Sequence, residues 1–231
     1  PDVGYLGFAN IKSDDATCDI KKVFKSIDAT TTNTWVDITA NILADLPGIF
    51  DYIEISQIIV NPANPNDIWI SFGKISDNNY RRVIRSIDGG DNWIDYSLNL
   101  PGIQVNDIEY YKGSNNGIFA ATDIGIYYTD DNYYDPTNPN GSNTGWICVS
   151  NNLPVLLIND IEINYTTNKI VLGTFGRGIY EAELPTSLPF TMNTDNPFDC
   201  TQDLVISTNT TINNYISCGN IIVNANAKLT I

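Results

Sequence analysis

Val83-Ile84-Arg85-Ser86-Ile87-Asp88-Gly89-Gly90-Asp91-Asn92-Trp93 is the stretch whose reading decides the fold. Val83 to Ser86 is a short β-prone run that stops at a turn rich in Gly and Asp. In that turn Asp88 can accept backbone N–H groups across a hairpin, Gly90 tolerates the positive φ of the reversal, and Trp93 packs inward. Ser86, Asp88, Gly90 and Trp93 thus read as a folding device. Degenerate copies stand at Ser26-Ile27-Asp28 with Trp35, and at Thr129-Asp130 with Trp146, where the loop has grown by about ten residues. A catalytic role for Asp88 is the weaker reading, because nothing in the stretch sets a second carboxylate beside it.

Outward from this turn, one unit of four strands recurs. Its first strand reads Ile55 to Asn61, Val105 to Tyr110 and Ile158 to Asn164, each with the alternation of a half-buried strand. Second strands follow at Asp67–Phe72, Gly117–Thr122 and Lys169–Thr174, with the earliest copy at Gly4–Phe8. Third strands stand at Val23–Ser26, Val83–Ser86, Ile126–Thr129 and Ile179–Ala182, and Trp35, Trp93 and Trp146 belong to fourth strands. From Val83 to Ile126 to Ile179 the steps are 43 and 53 residues, which suits four-stranded propeller blades of roughly 40–50 residues. The unit at the start lacks its first strand, and the last lacks a Trp-bearing fourth strand. The one helical stretch is Ala40 to Leu46.

The expected fold class is all-β: a partial β-propeller of about four blades, two of them incomplete, over residues 1–184. A linker over 185–198 and a small solenoid- or sandwich-like β-rich module over 199–231 follow. The missing blades place these residues in the C-terminal part of a larger propeller, with the absent fourth strand supplied from the far N-terminus. The chain opens at Pro1 without a leader, which reads as a processed product or a fragment.

Composition removes several function classes. The 231 residues carry 12 Lys+Arg against 27 Asp+Glu, a net charge of −15, which repels nucleic acid and anionic lipid surfaces. No His is present, so within this chain a Ser/His/Asp triad, an imidazole base and a His-bound zinc are all excluded. No apolar run approaches the ~20 residues that a membrane-spanning helix needs. Four Cys without zinc-like spacing favour disulfides, an oxidising compartment and export. Cys200 and Cys218 lie in the same small module and form the expected pair, whereas Cys18 and Cys148 lie two blades apart and admit a pairing, a partner Cys further upstream, or two buried thiols.

A family resemblance can now be stated. The 86–93 turn matches the Asp-box pattern Ser-x-Asp-x-Gly-x-Thr-Trp, with Asn92 where Thr is usual. Together with Asn61-Pro62-Ala63-Asn64-Pro65-Asn66-Asp67-Ile68-Trp69, Ala121 to Tyr128, Leu153-Pro154 and Gly173 to Tyr180, it makes residues 1–184 resemble the closing blades of a sortilin-type or bacterial-neuraminidase-repeat propeller. The resemblance implies a secreted or cell-surface protein of Bacteroidetes-like bacteria, and the tail resembles the β-rich C-terminal regions such proteins carry for type IX export. It also departs from the enzymes of that family. The only arginines are Arg81, Arg82, Arg85 and Arg177, three of them on one strand, where a sialidase would need an arginine trio on separate blades.

For binding, Tyr133 and Tyr134 stand out, in a long polar loop with no evident core to enter; they are the candidate contacts for a carbohydrate or a surface protein. No cofactor is expected. Asp14-Asp15, Asp130-Asp131 and Asp107 with Asp160 are the only places where Ca²⁺ is conceivable, and none forms a spaced oxygen-ligand loop. Three functions remain in contention: a non-catalytic binding, adhesion or assembly module; a fragment of a secreted sialidase- or xyloglucanase-like hydrolase; and a filament subunit that takes strands from neighbours. The balance is against catalysis. Partners are then carbohydrate, surface protein, the rest of the same propeller or neighbouring subunits, with no nucleic acid and no membrane insertion.

Overall fold

The second strands of blades 2 and 3 are buried along their whole central run, Asp67 to Phe72 and Gly117 to Thr122, and a sheet built on such strands must be covered on both sides. In the computed structural model, which describes residues 3–12, 19–27, 34–49, 54–73, 81–134, 145–150, 153–184, 204–207, 210–211 and 221–230, that cover comes from the neighbouring sheet. Blade 1 is β1 (Gly4–Lys12), β2 (Asp19–Ser26) and β3 (Val36–Asp37), followed by the short helix α1 (Thr39–Asp45). Blade 2 is β4 (Ile55–Asn61), β5 (Asn64–Phe72), β6 (Val83–Ser86) and β7 (Ile94–Asp95). Blade 3 is β8 (Val105–Tyr111), β9 (Gly117–Thr122), β10 (Gly125–Thr129) and β11 (Ile147–Cys148), and blade 4 is β12 (Ile158–Asn164), β13 (Lys169–Thr174) and β14 (Gly178–Glu183). Every blade is an antiparallel meander in chain order, and the first strands of blades 2, 3 and 4 lie side by side. The chain is all-β, a partial propeller with two four-stranded and two three-stranded blades among the described residues. A β-rich tail follows, in which β15 (Leu204–Ile206) pairs in parallel with β17 (Ile221–Val223), and β16 (Thr210–Thr211) with β18 (Leu229–Thr230). Residues 185–203, which hold the expected linker and Cys200, are outside the described residues, as are Cys18 and Cys218.

Three cores fill the three seams. Val23, Ile42, Ile49, Phe72 and Trp93 meet between blades 1 and 2. Trp69, Tyr96, Ile108, Tyr127 and Trp146 meet between blades 2 and 3, and Phe119, Tyr128, Ile161 and Leu172 between blades 3 and 4. Polar staples cross the same seams. A bulge falls just inside the start of each first strand, between Ile55 and Gln57, Val105 and Asp107, and Ile158 and Asp160. At the first two, the Ser56 hydroxyl donates to the Val105 carbonyl (2.7 Å) and the Asn106 amide to the Ile158 carbonyl (2.9 Å), each on the next blade.

The fourth strands are two residues long, and a repeated set of hydrogen bonds holds them. Four residues after Trp35, Trp93 and Trp146 stand Thr39, Ser97 and Ser150, whose hydroxyls accept the N–H of Val23 (3.0 Å), Val83 (3.3 Å) and Ile126 (2.7 Å) at the third strand. The residue before each hydroxyl returns the bond: Ile38, Tyr96 and Val149 donate their N–H to the carbonyls of the same Val23, Val83 and Ile126 (2.9, 2.8 and 2.9 Å). The previous blade adds a clamp. Asp45 Oδ2 accepts the Trp93 N–H (2.8 Å), while Asn99 accepts the Trp146 N–H (2.6 Å) and donates to its carbonyl (2.9 Å).

The seam between blades 2 and 3 also holds a buried charge. Arg85 is 1% exposed and lies over the rings of Trp69 (4.6 Å to the centroid) and Tyr96 (5.3 Å). Its guanidinium forks onto Asp67 of its own blade (2.8 and 2.9 Å) and reaches Asp131 of the next. Burial works against the charged guanidinium, but the bonds to both carboxylates outweigh it and keep Arg85 protonated. Removing Asp67 would leave the buried guanidinium with Asp131 as its one carboxylate, so Asp67→Ala is expected to cost about 3 kcal/mol of stability in urea unfolding, against about 1 kcal/mol or less for the exposed pair-breaking change Asp37→Ala.

Candidate functional site

In the 86–93 turn, the Ser86 hydroxyl donates to Asp88 (2.8 Å) and accepts the Gly90 N–H (2.9 Å). Asp88 Oδ1 accepts the N–H groups of Asp91 (3.1 Å) and Asn92 (2.9 Å), and Oδ2 accepts the Asn92 side-chain amide (2.7 Å). Partial burial acts against the Asp88 charge, yet these bonds prevail and hold its carboxyl below the usual range. Gly90 has φ +91°, and a Cβ there would come within 2.8 Å of Ile38. Trp93 is buried and donates from its indole to the Gly90 carbonyl (3.1 Å). The polar atoms of Asp88 are thus engaged within the turn itself.

The degenerate copies differ. Ser26 is buried and Trp35 half-buried, while Asp28 is outside the described residues. Thr129 and Asp130 are fully buried: Thr129 donates to the Gly145 carbonyl (3.1 Å), and Asp130 accepts the Tyr128 hydroxyl (2.9 Å) and the Asn132 N–H (2.8 Å). Trp146 is buried, its indole N–H on the Tyr96 carbonyl (2.9 Å).

The expectation that Tyr133 and Tyr134 have no core to enter is corrected. Both are half-buried: Tyr133 meets Tyr128 edge-on with ring centroids 6.3 Å apart, and Tyr134 meets Tyr96 at 5.2 Å. Two consecutive N–H groups donating to the Asp130 carbonyl (2.9 Å each) send these rings to opposite seams. Residues 135–144 of the same loop are outside the described residues. Cys148 is exposed and forms no disulfide with a described residue. Of the carboxylates considered for Ca²⁺, Asp130 and Asp131 are bonded as above, and Asp107 accepts the N–H of Ile108 (2.8 Å) and Ile161 (3.0 Å) and the Gln57 amide (3.1 Å). Among the described residues no group of three or more His, Cys, Asp or Glu side chains is placed to hold a metal ion.

Two features were not singled out from the sequence. The first is Glu109 on β8, whose carboxyl is pushed up to about 7 by burial first, then by the charges of Glu162 and Asp107. Glu109 and Glu162 occupy the same register row in successive blades, opposite Phe119 and Val171, and that repeat was the available signal. The second is the outer edge of β14. β10 and β14 are equivalent strands: Thr122 donates to the Gly125 carbonyl and Thr174 to the Gly178 carbonyl, both at 2.7 Å, and Ile126 pairs with Ala121 as Ile179 pairs with Gly173. Ile126 is 5% exposed and Ile179 76%. Phe175, in the preceding hairpin, is 73% exposed, and no described strand pairs with the outer side of β14.

No protein-family model matches the chain, and no curated protein matches it in sequence. Solved structures do. The chain is similar to a GH74 xyloglucanase from Xanthomonas campestris (TM-score 0.52, 13% identity, 78% of this chain and 26% of that one). It is also similar to PorZ, a surface component of the type-IX secretion system of Porphyromonas gingivalis (0.48, 17%, 70% and 23%), and to an ancestral GH74 enzyme (0.44, 16%, 69% and 20%). It therefore spans about a quarter of the length of these proteins. The likeness to the xyloglucanase shows the fold, in keeping with the blades described above, and the fold does not carry the activity with it.

Two outcomes follow from the site geometry. Because Asp88 is exposed and only its turn amides lose an acceptor, Asp88→Ala is expected to cost about 1 kcal/mol, whereas Trp93→Ala empties a seam and costs about 3–5 kcal/mol; thermal unfolding checks both. The raised Glu109 pKa means that ionising this carboxyl weakens the fold progressively as pH rises from its unfolded value near 4.5 through about 7. Glu109→Gln is accordingly expected to leave the melting temperature unchanged at pH 4 and to raise it by about 2 °C at pH 8, the gain kept small by partial solvent screening.

Proposed function

We propose that this chain is a non-catalytic binding or assembly module of an exported or cell-surface protein. The observation that carries this reading is the outer edge of blade 4, where Ile179 lies open to solvent at a position that is buried in the preceding blade, beside the exposed Phe175. Apolar side chains so exposed, beside a strand edge with no partner among the described strands, mark a surface built to be covered. The carboxylates with the most bonds support the same reading: Asp67, Asp88, Asp107, Asp130 and Asp131 each hold a turn, a seam or Arg85. Export accords with the acidic, turn-rich composition and with the Cys200–Cys218 pair expected in the tail. The partner is a surface protein or a carbohydrate, with the half-buried Tyr133 and Tyr134 offering ring edges to the latter.

A second reading, a fragment of a secreted glycoside hydrolase, is favoured by one observation. Glu109 has the raised pKa of a general acid, with the charge of Glu162 on the next blade contributing to the rise. A panel of chromogenic glycosides run beside a glycan array separates the two. Binding without turnover is expected; turnover that Glu109→Gln abolishes without unfolding the protein would establish the hydrolase instead.

A further inference from the structure

We infer that Glu109, Lys112 and Tyr165 form a pH-operated catch on the seam between blades 3 and 4, which pins the β12–β13 hairpin to blade 3 while Glu109 is protonated and releases it when Glu109 ionises. The inference concerns regulation and stands whether the chain binds or catalyses.

Two ties cross this seam, one on each side of Glu109. Asp107, two residues before it on β8, accepts the Ile161 N–H of β12 (3.0 Å). Beyond it, the Tyr165 hydroxyl donates to the Tyr110 carbonyl and accepts the Lys112 N–H, both at 2.9 Å. Tyr165 lies between β12 and β13, so this one hydroxyl fastens the hairpin of blade 4 to the end of β8. Glu109 stands between the ties, opposite Phe119, on the sheet face covered by the core that Phe119 shares with Ile161. The hydrogen bond to its carboxyl comes from the Tyr110 N–H of its own strand and, among the described residues, from no side chain.

Lys112 is the cation that acts on this carboxyl, yet its ammonium rests over the Tyr165 ring, 4.8 Å from the centroid. The other titratable groups around the seam are Asp107 and Tyr111 on β8, Tyr128 on β10, and Asp160 and Glu162 on β12. The charges of Asp107 and Glu162 oppose ionisation of Glu109, and that of Asp160 acts on Asp107. Lys112 thus has two seats. While Glu109 is neutral the ring holds the ammonium, and the Tyr165 hydroxyl keeps both of its bonds. Once Glu109 is ionised, a half-buried carboxylate beside two others needs a counter-charge and water. The flexible Lys112 stem lets the ammonium leave the ring for it, and water drawn into the seam competes for the Tyr165 hydroxyl. Burial and the neighbouring carboxylates push the Glu109 pKa up to about 7, so the catch is closed about one pH unit below that value and open about one unit above it.

Hydrogen exchange of the Lys112 amide in the 231-residue chain reads the catch, and the Trp146 N–H, bonded to Asn99 at the other seam, reads the remaining fold. Wild type and Glu109→Gln are compared at equal pH, which cancels the base catalysis of exchange. At pH 8 the Lys112 amide is expected to exchange faster in the wild type, by a factor about tenfold greater than any difference at Trp146; at pH 5 the two proteins should agree. Equal changes at both amides would mean a uniform loss of stability and overturn the catch, as would a Lys112 amide indifferent to Glu109→Gln at pH 8. In Tyr165→Phe the Lys112 amide should exchange fast at both pH values; retained protection overturns the role of the hydroxyl. Should Glu109→Gln fail to fold, the wild type decides alone. The ε-methylene proton signals of Lys112, shielded by the Tyr165 ring at pH 5, should move toward their ordinary positions with a midpoint near pH 7, and signals that stay still across that range refute the inference.

Discussion

The guanidinium of Arg85, clasped by Asp67 and Asp131 between the rings of Trp69 and Tyr96, is the contact on which the middle of the molecule depends. A radial arrangement of sheets has no common centre to pack against, and each blade is held only by its neighbours. At most seams apolar burial supplies the attraction and leaves rotation about the seam weakly fixed. A charge-assisted fork has a fixed plane, so Arg85 sets the angle between blades 2 and 3 as well as joining them. The Asn116 amide bonded to Asp131 (2.7 Å) and the Asn61 amide bonded to Asn116 (2.8 Å) extend that network to the ends of β4 and β9.

Much of the blade architecture was legible because a two-residue period and a recurring Trp are properties of the chain alone. β4, β6, β9, β12 and β13 have the boundaries read from the sequence. The helix expected over Ala40 to Leu46 forms one residue earlier, over Thr39–Asp45. The hydroxyl four residues after each Trp and the Asp or Asn clamp of the preceding blade were not legible as such, because a Ser or Thr near a turn has several local bonds open to it and only the docked third strand selects one. Tyr133 and Tyr134 were misread for a related reason. Loop composition predicts exposure, but the turn at Asp130 lies between two aromatic seams and gives each ring a place. Glu109 escaped notice because a carboxylate on an alternating strand looks like its solvent face, and it is the neighbouring blade that buries it.

The side chains facing the next blade change in a regular way along the chain. In one register row blade 2 presents Ile59, Trp69 and Arg85, and blade 3 presents Glu109, Phe119 and Tyr128. Blade 4 presents Glu162, Val171 and Glu181, with Lys169 paired to Glu181. The aromatic pair that fills a seam has been replaced by a small aliphatic residue and a solvated ion pair. A face of that kind gains less from burial than the aromatic faces of blades 2 and 3 and tolerates water. The apolar exposure of blade 4 falls on Phe175 and Ile179 at the start of β14 and, at its other end, on Tyr165 of the β12–β13 hairpin, while the row facing outward stays polar.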